Sequence, residues 1–418
     1  MRDVAEANAS DALQRLNPAV WMVAGFAAGK GLQFALQIVL ARLLAPADFG
    51  LWAMVLLVTS FTALFKEQVT AQVLVQRGFD DRRLVEGVHG LALAASGVLA
   101  LAQVALALPV AHFFERPELM APIAACGAIF LAQAGAGCHD AWLQRHLRFR
   151  ALALAEVAGA LARTLAACLA ALAGAGLWAF VVGEVALCAV DAACKRRTSG
   201  LVLPWSLRFD RRALAETGRF VGGLTGANLA VQLNTGADNL VVGRLLGAEA
   251  LGHYSVAYSL AMLPVLALHQ INRVQFATLA RLPPAERPAT LTRALGHYAV
   301  IAAPLHILAA FAAPTLVALV YGDAWLPAVP LVQILLALSF ARGFMAILGT
   351  ALNAMHRTLD NAIFNWALVP FALPAYLIGA HLGGVTGVAW AAAIAMALAA
   401  VAFAWLLLRS DPYPEKCS

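Results

Sequence analysis

The chain has 418 residues, of which 62% are hydrophobic and 12% charged, against about 45–50% and 25% in soluble domains. A chain of this length has no interior large enough to hide that apolar share. This excludes a water-soluble globule and points to an all-α integral membrane protein. The formal charge of +6 says little as a total and gives no sign of a nucleic-acid partner; its placement along the chain is what informs.

Residues 1–17 carry Asp3, Glu6 and Asp11 and no apolar core. They do not read as a cleavable signal peptide, so the first membrane helix is expected to direct insertion. Apolar stretches of about 20 residues, enough to cross hydrocarbon as helices, follow near 18–43, 51–75, 86–110, 119–143, 150–172 and 176–194. A basic stretch over 195–212 comes next, with Pro204 and with Trp205 and Phe209, two rings suited to the headgroup region. Six more apolar stretches lie near 219–243, 251–276, 293–318, 324–350, 360–381 and 384–408. Pro46, Pro117, Gly174-Ala175-Gly176, Pro283-Pro284 and Gly383-Gly384 punctuate the spans at or between their ends. The organisation expected is an N-lobe over 1–194, a cytoplasmic linker over 195–212, and a C-lobe over 213–418 ending in a short tail.

The two halves repeat. Residues 40–53 read LARLLAPADFGLWA and residues 242–255 read VGRLLGAEALGHYS. At an offset of 202, Arg42-Leu43-Leu44 aligns with Arg244-Leu245-Leu246, Gly50 with Gly252, and Trp52 with Tyr254. So long a period indicates two matching lobes rather than a solenoid. Six spans is an even number, so both lobes insert in the same sense. The expected fold is therefore about twelve transmembrane helices in two six-helix lobes, related by a pseudo-two-fold axis along the membrane normal, with a central cavity.

Basic residues sort by loop. The alternate loops that include both termini hold twenty of the 29 Lys and Arg, from Arg2 and Arg15 to Arg409 and Lys416, whereas the opposite loops hold Arg116 alone. Basic loops stay inside, so both termini are expected in the cytoplasm. The cysteines Cys126, Cys138, Cys168, Cys188 and Cys194 fall in or beside apolar segments and form no CxxC pair. They read as small buried residues, with no metal set and no cofactor motif.

Eight cations lie within spans or at their ends. Arg42, Arg219, Arg244 and Arg273 are near enough to helix ends to snorkel. Lys30, Lys66, Arg163 and Arg342 are deeper, where each costs about 2.5–3.5 kcal/mol at the helix centre. They should face water or protein, either lining a cavity or pairing with acids. The acids within reach of the spans are Glu67, Glu156, Glu184 and Asp238, with Asp191 near an end. Glu156 and Arg163 share a face but stand about 10 Å apart along one helix. In span 1, Lys30, Gln33 and Gln37 lie on one face; in span 7, Gln232, Thr235 and Asn239 repeat that spacing at the same offset, with Asn228 upstream. Thr59, Thr62 and Lys66 continue the stripe in span 2. Facing stripes make a wet cleft, or else hydrogen-bonded glue between helices. Cations and amides together suit an anionic, hydroxylated cargo.

The LARLLAPADFGLWA segment, with Phe65 and with Val73-Leu74-Val75-Gln76-Arg77 after it, resembles the polysaccharide-transporter family of O-antigen and exopolysaccharide flippases. DNLVVGRLLGAEALGHYSVAY at 238–258 does so too. That family belongs to the multidrug/oligosaccharidyl-lipid/polysaccharide flippase superfamily. The resemblance implies a two-lobed bundle, alternating access, a bacterial inner membrane, and a polyprenyl-pyrophosphate-linked oligosaccharide as cargo. One departure from the family pattern is Glu67-Gln68-Val69, where members often place a glycine after the acid.

The function expected is that of a transporter, not an enzyme. Lys30, Gln33, Gln37, Lys66, Arg163, Gln232, Thr235, Asn239 and Arg342 are the candidates for holding cargo. Glu67, Glu156, Glu184 and Asp238 are the candidates for coupling to H+ or Na+. A multidrug–cation antiporter of the same superfamily is the alternative, although Lys30 replaces the acid that a cation site would want in span 1. A glycan polymerase or ligase is a third reading, weakened by outward loops of about ten residues, too short for a catalytic domain.

Overall fold

The computed structural model describes residues 18–67, 71–205, 207, 229–265, 283, 286–355 and 357–409. Helices fall on each apolar stretch as far as it is described, and the described residues contain no strand. They divide into two compact units, one drawn from 1–44 and 58–225, the other from 45–57 and 226–418. Among the described residues, six helices are long and apolar enough to cross a membrane, or seven if one bent pair is a single span.

The first unit holds α1 (Pro18–Leu43), the later part of α2 (Pro46–Glu67), α3 (Ala71–Arg77) and α4 (Arg82–Phe113). It continues with α5 (Met120–Ala125), α6 (Gly127–Ala132), α7 (Ala136–Arg145), α8 (Phe149–Leu172) and α9 (Trp178–Ser199). Asp81 caps α4: its carboxylate accepts from the backbone N–H of Arg83 at 3.0 Å and of Leu84 at 3.2 Å, filling bonds that a helix start leaves open. Helix α8 shows what holds such a bundle together. Its buried face is Ala153, Ala155, Gly159, Ala160, Ala167 and Ala171. Leu165, Leu169 and Leu172 are 65–69% exposed. In lipid a leucine gains nothing by moving inward, so close packing of small residues decides which face turns in.

The apolar run over 117–145 is bent. Residues Pro117–Ala132 and Ala136–Arg145 meet at 45°, and Gly135 sits between them at φ 70°. A side chain there would run into the His89 ring. The break frees carbonyls that no water in the bilayer core would satisfy. Arg196 of α9 supplies the donors, reaching Ala134 O at 2.6 Å and Ala132 O at 3.5 Å.

The second unit holds the first part of α2, then α10 (229–245), α11 (Gly247–Ala261), α12 (Arg287–Val320), α13 (Val329–Ala354) and α14 (Thr358–Arg409). Helix α14 turns at Gly383 and Gly384, the latter at φ 58°, and brings Gly379 and Gly387 backbone to backbone. The start of α2 packs on α11 through the repeat itself. A methyl group on Gly50 would overlap the Ala248 carbonyl oxygen, and one on Gly252 would overlap that of Pro46. Gly50 and Gly252 are equivalent positions, and so are Pro46 and Ala248. The contact thus maps onto itself when the two copies are exchanged. Beside it, Phe49 meets Trp325 edge to face at 4.9 Å between centroids.

Candidate functional site

A cavity of about 400 Å³ lies in the first unit. Helix α1 is drawn close to α8 there by two glycines four residues apart. A Cβ on Gly25 would stand 2.7 Å from Ala153 Cβ, and one on Gly29 would stand 3.3 Å from Glu156 Oε1. Close approach through small residues is the usual way membrane helices dock. It places Lys30 and Gln33 of α1 on the cavity wall, opposite Glu156, Arg163 and Thr164 of α8. On α8, Arg163 and Thr164 stand seven and eight residues past Glu156, about two turns, hence on one face. Asp140 of α7 and Asp191 and Lys195 of α9 complete the charged lining.

Three cations and three carboxylates therefore face this space. Most are already matched. Arg163 pairs with Glu184 of α9 at 3.4 Å. Lys195 bridges Asp140 at 2.9 Å and Asp191 at 3.0 Å, which ties α7 to α9. Lys30 instead donates to Gln33 Oε1 at 3.1 Å and lies 5.8 Å from the Phe26 ring centre. Among the described residues, Lys30 and Glu156 have no ion pair.

The sequence-derived candidates therefore divide into several groups. Lys30, Gln33, Glu156 and Arg163 come together on one cavity, and Glu184 joins them through Arg163. Gln37, a turn further along α1, does not line it. The side chains of Lys66 and Glu67 lie outside the described residues, as does Asn228. Thr59 and Thr62 do not continue a cavity stripe: both are buried and bonded to Gln103 of α4. Thr62 Oγ1 donates to Gln103 Oε1 at 2.8 Å, and Gln103 Nε2 donates to Thr59 Oγ1 at 2.8 Å. That is glue between helices. Gln103 carries no signal of its own in the sequence, being a lone amide in an apolar run.

The remaining candidates fall in the second unit. Asp238 is 1% exposed; it accepts from the Tyr254 hydroxyl at 2.8 Å and from the Asn239 backbone N–H at 2.8 Å. Arg342 donates to the Tyr258 hydroxyl, has its guanidinium 5.1 Å from that ring's centre, and supplies the nearby positive charge for Asp238. The Thr235 hydroxyl turns back to Val231 O at 2.9 Å, and Asn239 Oδ1 is buried without a hydrogen-bond partner. Gln232 shares α10 with them. Sequence reasoning placed Lys195 in the linker and so missed it as a cavity residue. The spacing Asp191 to Lys195, one helical turn, was the available signal.

Three comparisons bear on what such a cavity serves. Residues 39–330 match the model of a family described as polysaccharide biosynthesis protein. The lipopolysaccharide biosynthesis protein WzxC of Escherichia coli (strain K12) is 24% identical over 365 residues, covering 86% of this chain and 73% of that protein. The succinoglycan biosynthesis transport protein ExoT of Rhizobium meliloti (strain 1021) is 27% identical over 406 residues, covering 94% and 80%. Among solved structures, the lipid II flippase MurJ in an inward closed conformation superposes with a TM-score of 0.71 at 12% identity, over 93% of this chain and 87% of that one. At that identity the likeness concerns the fold.

Proposed function

This chain belongs to the polysaccharide biosynthesis protein family, and from that premise we propose that it is a flippase for a polyprenyl-pyrophosphate-linked oligosaccharide. It is a transporter rather than an enzyme. It works in the bacterial inner membrane by alternating access, and its cargo is made on the cytoplasmic side. The finer layout belongs to the same proposal: twelve membrane helices grouped as 1–194 and 213–418, joined by the basic stretch 195–212, with both termini in the cytoplasm. An H+ or Na+ gradient or mass action drives the cycle, with Asp238 as the candidate for an ion-coupling site.

The observation that carries the proposal is the state of Lys30. It is a cation of a largely apolar helix that lines a cavity and is matched by an amide, not a carboxylate. A phosphate oxygen offers it a charge-assisted hydrogen bond that the Gln33 amide does not. Arg163 and Lys195 are held by carboxylates, so they shape the cavity and strengthen its field while Lys30 remains available. A cationic drug would meet an ammonium there rather than an aromatic cage, which disfavours the antiporter reading.

The test is complementation of a strain that lacks its own exporter. Loss of a charged hydrogen bond costs about 1.5–3 kcal/mol, about a tenfold to hundredfold loss of head-group affinity. Lys30→Ala is expected to cut surface glycan by that order and Lys30→Arg to restore part of it. Undiminished glycan from Lys30→Ala, at equal protein level, would refute the role.

A further inference from the structure

The cavity in the first unit has two halves of opposite character. One half is Lys30 with Gln33. Gln33 Oε1 already accepts from Lys30, and the pair offers the ammonium and the amide N–H groups as donors. The other half is Glu156 with Thr164. The Thr164 hydroxyl donates to Ala160 O at 2.9 Å, so its lone pairs remain as acceptors beside the Glu156 carboxylate. Glu156 stands against Gly29, the residue before Lys30, yet the two opposite charges are not joined as an ion pair. The other charged groups of the cavity are matched by Arg163–Glu184 and by the Lys195 bridge.

Such a surface fits a ligand that is anionic at one end and rich in hydroxyl donors at the other. We propose that this cavity is a sugar-phosphate subsite: Lys30 and Gln33 take a phosphate, and Glu156 and Thr164 take the hydroxyls of the one sugar attached to it. The inference rests on the flippase reading and deepens it, because it makes Glu156 a specificity residue for the sugar nearest the lipid. A carboxylate accepts hydroxyl hydrogen bonds more strongly than a neutral group. It also repels a second phosphate, which keeps the anion at the Lys30 end. The volume agrees. About 400 Å³ is near the small end of the range of about 300–1,000 Å³ for small-molecule pockets. It is large enough to admit a phosphate and one ring.

The experiment uses the full-length protein in lipid nanodiscs and measures binding of inorganic phosphate and of a panel of hexose and N-acetylhexosamine 1-phosphates. The wild type is expected to bind at least one sugar phosphate about tenfold more tightly than inorganic phosphate, the worth of one or two charge-assisted hydrogen bonds. Glu156→Gln should lose most of that preference and bind inorganic phosphate at least as tightly as the wild type does, since a repelling charge is gone, which also shows that the variant is folded. Lys30→Ala should weaken both ligands. If Glu156→Gln keeps the preference, or the wild type has none while binding phosphate, the subsite is refuted and the flippase reading stands. If the wild type binds neither phosphate nor any sugar phosphate, the phosphate role of Lys30 falls, and this inference falls with it.

Discussion

Asp238 and Arg342 show how much a side chain's meaning depends on what stands beside it. Each is conspicuous in the sequence as a charge in an apolar span. Their common surroundings are not, because more than a hundred residues separate them and helical spacing relates only residues on one helix. In the structure a tyrosine stands beside each: Tyr254 bonds Asp238, and Tyr258 bonds and stacks on Arg342. A buried charge that loses its partner typically costs about 3–5 kcal/mol, whereas removing both charges together is often neutral. Arg342→Met alone is therefore expected to lower the unfolding temperature of the detergent-solubilised protein by several degrees. Adding Asp238→Asn should recover most of the loss. Recovery is the informative part: a double variant no better than the single would show that the two charges are independent. By contrast, the pairs Lys30 with Gln33 and Glu156 with Arg163 were legible as sharing a helix face, because the 3.6-residue period relates residues on one helix, although Glu156 read as a coupling or pairing acid and not as a cavity residue.

At the level of elements, the sequence repeat was legible and its physical purpose was not. Equivalent residues in two copies need not touch; they do so only where one copy packs on the other. Gly50 and Gly252 are such residues, since each backbone sits where the other helix would need space for a side chain. Overpacking a tight contact costs about 1–3 kcal/mol. Gly50→Val and Gly252→Val should each destabilise the protein by about that much. The double variant should cost less than the sum, because one separation of the helices relieves both clashes. Full additivity in thermal unfolding would contradict a single shared contact. The bent segment over 117–145 was only partly legible. Its apolar run was clear, but the bend at Gly135 depends on Arg196, about sixty residues later, satisfying the carbonyls it frees. No local pattern announces a donor that distant.

For the molecule as a whole, the apolar composition indicated a multi-pass helical membrane protein, and six helices among the described residues are long and apolar enough to cross a membrane. The charge balance of the cavity was not readable. Sequence reasoning left the deep cations between lining a cavity and pairing with acids, and in the first unit both occur, since three carboxylates line the cavity that holds Lys30 and Arg163. Net charge in a pocket depends on which faces converge, and that is a property of packing. The central claim is that this protein carries a lipid-linked oligosaccharide across a bilayer and grips it by the phosphate at Lys30. The most direct test reconstitutes the pure protein into sealed vesicles that contain a polyprenyl-pyrophosphate-linked oligosaccharide, and follows transfer of the glycan to the leaflet reached by a membrane-impermeant glycosidase. The account predicts transfer that requires the wild-type protein and is at least about tenfold slower with Lys30→Ala. Transfer at the protein-free rate, or at the same rate for wild type and variant, would contradict it.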